Sequence, residues 1–184
     1  MGASTWTYYV PYQPDVEKAL GELRQDVFRD RRYQDGDVPF DTAAADALED
    51  RMASVLESLS PEQRRMWELT QGMLVAARER AKAPARPRAG TIEELRQRCG
   101  EAGTHSILDV DRVAASPAYG AISRLPPARL RKLLGTDRPT RAQVESAFQG
   151  REWAEFRRRW QGLYIVIYAD DEPSEIFFAG TSGD

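Results

Sequence analysis

Aromatic and β-branched residues concentrate at the two ends of the chain, in runs typical of β-strands. Thr5–Tyr12 alternates such residues before Gln13 and Pro14, which predicts a first strand. Leu163–Ala169 and Ser174–Thr181 flank the polar turn 170–173, which predicts a terminal β-hairpin. Both hairpin strands are apolar on both faces. They are therefore covered on both sides, or they expose an aromatic face that serves for binding.

Between these ends, apolar residues recur at helical spacing. The pattern predicts a helix near residues 14–29 and a second helix that begins at Thr42. Ser60-Pro61-Glu62-Gln63 combines a capping serine, a proline at the first helical position and a glutamine three residues after the serine, so a third helix runs from there to about Ala83. The second and third helices should form an antiparallel hairpin.

The segment Ala83–Gly90 contains two prolines and a glycine, which favours a linker. Shorter helices are expected after it, with starts marked by Thr91, by Pro126-Pro127 and by Thr140.

Two stretches of the second half have weaker patterns. Residues 105–113 fit either a short strand or one helical turn, and Ser116–Leu125 is predicted to be a loop.

These elements predict one α+β domain covering residues 1–184, with 83–90 as a possible linker between a helical hairpin half and the C-terminal half. The expected sheet is small and mostly antiparallel, built from the N-terminal strand and the C-terminal β-hairpin. Several helices, including the helical hairpin, pack on it.

Composition indicates where the protein works in the cell more clearly than what reaction or binding it performs. The chain has 184 residues, 41% hydrophobic and 30% charged, which is enough to form an apolar core without disulfides. Cys99 is the only cysteine, so an internal disulfide and a cysteine zinc cluster are excluded. Met1–Tyr12 lacks the features of a signal peptide, and no apolar run is long enough to span a membrane. We therefore expect a bacterial type of cytoplasmic protein.

Charge is unevenly distributed. Residues 124–160 contain ten basic and four acidic side chains, whereas 161–184 contain no basic and five acidic ones. Arg157–Arg159 stand among Trp153, Phe156 and Trp160, and such a mixture can bind single-stranded nucleic acid. The overall net charge of −3 and the helical spacing of the aromatic residues argue against it, so nucleic-acid contact remains an alternative.

A small enzyme is a second alternative. His105, the only histidine, precedes Asp109 and Asp111, and a carboxylate could orient it as a general base. Cys99 could act as a nucleophile, but it also fits the apolar stripe of its own helix. The sequence has no phosphate-binding glycine loop, no dinucleotide fingerprint and no nucleophile elbow, so we expect no cofactor and no metal.

The leading hypothesis is a non-catalytic protein-interaction module of the immunity-protein, inhibitor or adaptor type. Aromatic residues and arginine dominate the energies of protein interfaces, and both are plentiful near the predicted sheet. The expected partner is another protein, and a homodimer is compatible with the sequence. The expected binding residues are Trp6, Tyr8, Tyr9, Tyr12, Tyr164, Tyr168, Arg157 and Arg158.

Overall fold

A computed structural model describes residues 4–35, 41–82, 87–148 and 158–183. The chain folds into two compact units. The first consists of Met1–Gly36 together with Ala89–Asp184, and the second is Asp37–Arg88. The predicted linker 83–90 lies at one boundary between them, although residues 83–86 of that prediction lie outside the described residues.

The first unit contains a five-stranded mixed sheet. In chain order the strands are β1 (Thr5–Pro11), β2 (Arg112–Ala114), β3 (Ala121–Arg124), β4 (Gln161–Ala169) and β5 (Glu172–Thr181). Their spatial order is β1-β5-β4-β3-β2. The pairs β1–β5 and β4–β5 are antiparallel, whereas β2–β3 and β3–β4 are parallel.

The mostly antiparallel sheet expected from the sequence is therefore wrong. The N-terminal strand does pair with the terminal hairpin, but β2 and β3 extend the sheet in parallel on the other side of β4. These two strands have only three and four residues, and β3 includes a small alanine and a serine that give no alternating signal. Ala121–Arg124 falls inside the segment that was predicted to be a loop.

The described residues contain six α-helices, which start close to the positions that the sequence marked. They are α1 (Val16–Arg29), α2 (Thr42–Ala53), α3 (Pro61–Ala81), α4 (Ile92–Cys99), α5 (Pro127–Leu134) and α6 (Arg141–Phe148). Thr91 caps α4 by accepting a hydrogen bond from the backbone N of Glu94 at 3.1 Å. Gly135, with φ of 76°, ends α5.

Apolar side chains cover both faces of the sheet. Phe178 belongs to a core cluster with α1 and α4, and its neighbour Phe177 belongs to a second cluster with α5 and α6. Because successive strand residues point to opposite faces, the two clusters lie on opposite sides of β5. This explains why the hairpin strands are apolar on both faces.

The second unit is the predicted helical hairpin. Arg78 of α3 binds Glu49 of α2 at 2.8 Å and also binds Asp46, which joins the end of one helix to the start of the other. Ala45 and Trp67 are its buried hydrophobic residues among those described. Within the described ranges, no helix has both the length and the hydropathy needed to cross a membrane.

Candidate functional site

The loop that precedes β2 is organised by a buried carboxylate. Asp109 is fully buried and accepts hydrogen bonds from the backbone N of Thr104 at 2.6 Å and from its Oγ1 at 2.8 Å. The Oγ of Ser182, just beyond β5, donates to the other carboxylate oxygen at 2.5 Å. Three donors satisfy this buried carboxyl group, and together they attach the loop to the C-terminal end of β5.

The backbone of this loop leaves no room for a side chain at Gly103. Its φ is 78°, and a Cβ there would lie 2.8 Å from Oδ2 of Asp109. Ser106 then accepts from the backbone N of Leu108 at 3.2 Å, which caps the short 3-10 helix Ile107–Asp109. The ambiguous pattern at 105–113 thus resolves into a 3-10 turn followed by the short strand β2.

His105 projects from this loop toward the start of β1. Its φ of 53° is left-handed, which is uncommon for a residue with a side chain. Its Nδ1 lies 2.5 Å from the Oγ of Ser4, so the predicted base has a hydroxyl partner that the sequence did not reveal. Ser4 and His105 are 101 positions apart, and only the fold brings them together.

The two carboxylates that were expected to orient His105 hydrogen-bond elsewhere. Asp109 is engaged as described above, and Asp111 binds Arg96 at 2.9 Å and Arg112 at 3.0 Å. Partial burial alone would raise the pKa of Asp111, but the hydrogen bonds and charges of the two arginines lower it below its usual value. Asp111 therefore acts as an ion-pair residue between α4 and β2.

Cys99 lies in the core. It is buried in the first apolar cluster, and its Sγ is 3.4 Å from the backbone oxygen of Gln34. This position matches the apolar-stripe interpretation of the sequence. Among the described residues, no group of three or more His, Cys, Asp and Glu side chains could hold a metal ion.

The expected binding aromatics are divided between the two faces of the sheet. Trp6 is buried, and Tyr8, Tyr12 and Tyr164 are half-buried against the first core cluster. Tyr9 packs against the second cluster. Tyr168 is half-buried, with the guanidinium of Arg138 5.7 Å from its ring centroid. These residues do not form one continuous exposed aromatic patch.

The basic segment lies partly outside the described residues, which do not include Arg157, Trp153 or Phe156. Arg158 and Arg159 are exposed, and Trp160 is half-buried. The Trp160 ring packs against Tyr119 with centroids 5.7 Å apart.

The outer edge of β1 has backbone groups that are not used in pairing with β5. Within the described residues, no strand lies beyond β1 in the sheet. Tyr12 donates to the backbone oxygen of Ser174 and Ser182 donates to that of Ser4, both at 3.0 Å. Because antiparallel pairing alternates along a strand, the even-numbered residues of β1 direct their backbone groups to β5.

The odd-numbered residues therefore direct their N–H and C=O groups away from the sheet. Thr5, Thr7 and Tyr9 each present both groups along this edge, and Pro11 presents only a carbonyl. Thr5 and Thr7 are exposed, and β1 contains no charged residue. Sheet edges are usually protected by charges, prolines, bulges or covering elements. In β1 the proline is Pro11 at the end of the strand, so the uncharged run Thr5–Val10 is the part that can serve as a template for another strand.

A tyrosine with an arginine over its ring flanks this edge on each face. The guanidinium of Arg32 lies 5.8 Å from the ring centroid of Tyr8, and that of Arg141 lies 4.1 Å from Tyr9. Burial raises the pKa of both phenols, so both remain neutral donors at physiological pH.

Carboxylates fix the position of Arg141. It binds Glu145 at 2.8 Å and Glu175 at 2.9 Å, and the hydrogen bond to Glu145 is the main cause of its raised pKa. The sequence analysis did not identify this edge, although the charge-free run Thr5–Pro11 is a signal that could have indicated it.

Comparison of the chain with protein-family models, with curated proteins and with solved structures finds no match.

Proposed function

We propose that the protein is a cytoplasmic, non-catalytic interaction module of the immunity-protein, inhibitor or adaptor type, which binds an extended segment of a partner protein along β1. The observation that carries this proposal is the uncharged outer edge of β1, where Thr5, Thr7 and Tyr9 direct backbone donors and acceptors away from the sheet. Strand addition to such an edge is a recurrent mode of peptide recognition.

Affinity and selectivity come from different groups. Backbone hydrogen bonds to the odd-numbered residues of β1 would supply sequence-independent affinity. Successive side chains of the added strand would lie beside Tyr8 and Arg32 on one face and beside Tyr9 and Arg141 on the other. These tyrosine and arginine faces favour partner segments with aromatic residues at adjacent positions.

The proposal is tested by removing one outward N–H without disturbing the inner ladder. Thr7→Pro deletes a donor that does not pair with β5, whereas Thr7→Val keeps the donor and the strand propensity. Random peptides displayed on phage and selected on the full chain provide the binding probe. We expect Thr7→Pro to weaken the binding of a selected peptide at least tenfold, about 1.4 kcal/mol. Thr7→Val should bind the same peptide as tightly as the parent does.

Thermal unfolding of the two variants provides the control, because both should remain folded. A selected peptide that binds Thr7→Pro and the parent equally well would contradict strand addition. Failure of both variants to bind would show that the threonine side chain matters rather than its backbone.

The contact between Ser4 and His105 supports a second candidate function, a small hydrolase. With 2.5 Å between Oγ and Nδ1, the imidazole could take the hydroxyl proton as Ser4 attacks a substrate carbonyl. A fluorophosphonate probe tests this, since it labels activated serines. Labelling of Ser4 that disappears in His105→Gln would favour the hydrolase, and an unlabelled Ser4 would contradict it.

A further inference from the structure

Helix α3 of the second unit exposes three large apolar side chains on one face. Met66, Leu69 and Met73 are 63%, 61% and 72% exposed. Their spacing of three and four residues places them on one stripe of the helix, next to the side that buries Trp67. Exposed apolar side chains that are grouped on one stripe, rather than scattered singly, indicate an interaction site.

The stripe follows a heptad pattern, and the residues beside it are also regularly spaced. Met66, Leu69, Met73 and Ala76 occupy the two seam positions of successive heptads. Along one side of this seam, at intervals of seven, stand Arg65, Gly72 and Glu79. This flank has a positive residue at one end, a negative residue at the other and a glycine at the centre.

We propose that two copies of the chain pair through α3, with the helices antiparallel. In that arrangement Leu69 packs against Met73 of the second copy, and Met66 packs against Ala76 of the second copy. Two large residues therefore meet at the centre of the seam, and a large residue meets a small one at each end. Each contact occurs twice because the pair is symmetric.

The positions of the charged residues favour an antiparallel arrangement, and they favour a second copy of the chain as the partner. The two-fold axis places Arg65 beside Glu79 of the second copy and repeats that pair on the other side. Arg65 and Glu79 are both exposed, and Glu79 reaches Lys82 at 2.8 Å in an exposed pair that can rearrange. A parallel pair would leave these opposite charges far apart. A second copy carries the same two charges at the same distance on either side of Gly72, so it matches them by symmetry, whereas an unrelated partner need not.

The centre of the flank permits close approach. A Cβ on Gly72 would meet no heavy atom within 4 Å, so the surface there is open. In the proposed pair, Gly72 meets Gly72 of the second copy, where side chains would otherwise hold the helices apart. A 21-residue helix is about 31 Å long, enough for the two or three heptads that this seam requires.

Charge exchange within the full-length chain tests the proposal. Sedimentation velocity across a wide concentration series should show a concentration-dependent dimer. Arg65→Glu alone and Glu79→Arg alone should each weaken dimerisation roughly tenfold, because two attractive pairs become repulsive. The double variant R65E/E79R should restore dimerisation. Met73→Asp should abolish it.

Val75→Asp is the matched control, because Val75 is 55% exposed on a different side of α3 and should leave the dimer intact. A monomer at every concentration would overturn the proposal. So would a dimer that the single charge variants do not weaken, or one that the double variant fails to restore. These outcomes are independent of peptide binding at β1, which involves residues of the other unit.

Discussion

Trp6 lies across two glycines of neighbouring strands, and this contact fixes the position of β1. Gly180 is directly opposite Trp6 in the ladder, and Gly162 is opposite Gly180 on the next strand. A Cβ on Gly180 would overlap Cζ2 of Trp6 and would lie 2.8 Å from the backbone oxygen of Gln161. A Cβ on Gly162 would lie 2.7 Å from Cγ2 of Ile122 and 3.0 Å from Cη2 of Trp6. A side chain at either glycine would therefore force its neighbours to move. Trp6, one of the residues predicted to bind a partner, is buried and packs against these two glycines.

We therefore expect Gly180→Ala to lower the free energy of unfolding by about 3 kcal/mol, at the upper end of overpacking effects. Urea unfolding followed by tryptophan fluorescence measures this change. Gly21→Ala in α1 is the matched control. A Cβ there meets nothing within 4 Å, and alanine favours a helix by about 1 kcal/mol. Equal stability of the two variants would contradict the close contact with Trp6.

The buried carboxylate of Asp109 provides a second prediction at this scale. Asp109→Asn replaces one acceptor oxygen with a donor, and it faces donors from both Thr104 and Ser182. We expect a loss of about 3 kcal/mol, because a hydrogen-bonded buried group would be left mismatched. Ser182→Ala should cost about 2 kcal/mol, because one oxygen of the buried carboxyl group loses its donor but no new donor faces it. Chemical unfolding that shows no difference between Asp109→Asn and the parent would contradict this network.

Among the elements, those with strong local signals were predictable from the sequence. The capping residues Thr91 and Thr140 correctly mark the starts of α4 and α6, and the terminal hairpin is where the apolar runs indicated. The sequence left β2 open between a strand and a helical turn and predicted a loop at β3, because three or four residues provide too little periodicity to identify a strand. Their pairing is decided by burial against distant elements.

The candidate sites also combine features that the local sequence indicates with features that depend on distant contacts. The charge-free composition of β1 can be read locally, but its position at the sheet edge depends on where β5 pairs. The contact of His105 with Ser4 and that of Asp109 with Ser182 join residues far apart in sequence. No local spacing rule could have indicated either contact. The sequence suggested carboxylate partners for His105 only because they were its neighbours along the chain.

The ion pair between α4 and β2 predicts a pH dependence. Asp111 has a lowered pKa in the folded state, so its contribution to stability is present above its unfolded pKa of about 4. That contribution is lost as the pH falls from about 4 through the folded pKa. We expect Asp111→Asn to be less stable than the parent by about 1 kcal/mol at pH 7, since the pair is partly exposed. The gap should shrink in acid. Unfolding curves at several pH values that show a constant gap would contradict this assignment.

For the whole molecule, β5 is the strand on which the sheet depends. It pairs with β1 on one side and with β4 on the other, and its residues contribute to both apolar clusters. Deleting Ser174–Asp184 should therefore abolish cooperative unfolding, as followed by circular dichroism. A truncated chain that melts like the full chain would contradict the sheet topology.

The two proposed interaction surfaces belong to different units, so they can be lost independently. The outer edge of β1 lies in the first unit and the apolar stripe of α3 in the second. Variants of α3 should change the self-association of the chain but leave its affinity for a selected peptide unchanged. Variants of β1 should do the opposite.

Amide hydrogen exchange along β1 tests the central claim most directly. In the free protein, the inward amides of Trp6, Tyr8 and Val10 should exchange slowly, and the outward amides of Thr5, Thr7 and Tyr9 should exchange fast. Saturation with a selected peptide should slow the three outward amides at least tenfold and should leave the inward ones nearly unchanged. Outward amides that are already protected in the free protein, or that still exchange fast when the peptide is bound, would contradict strand addition at β1.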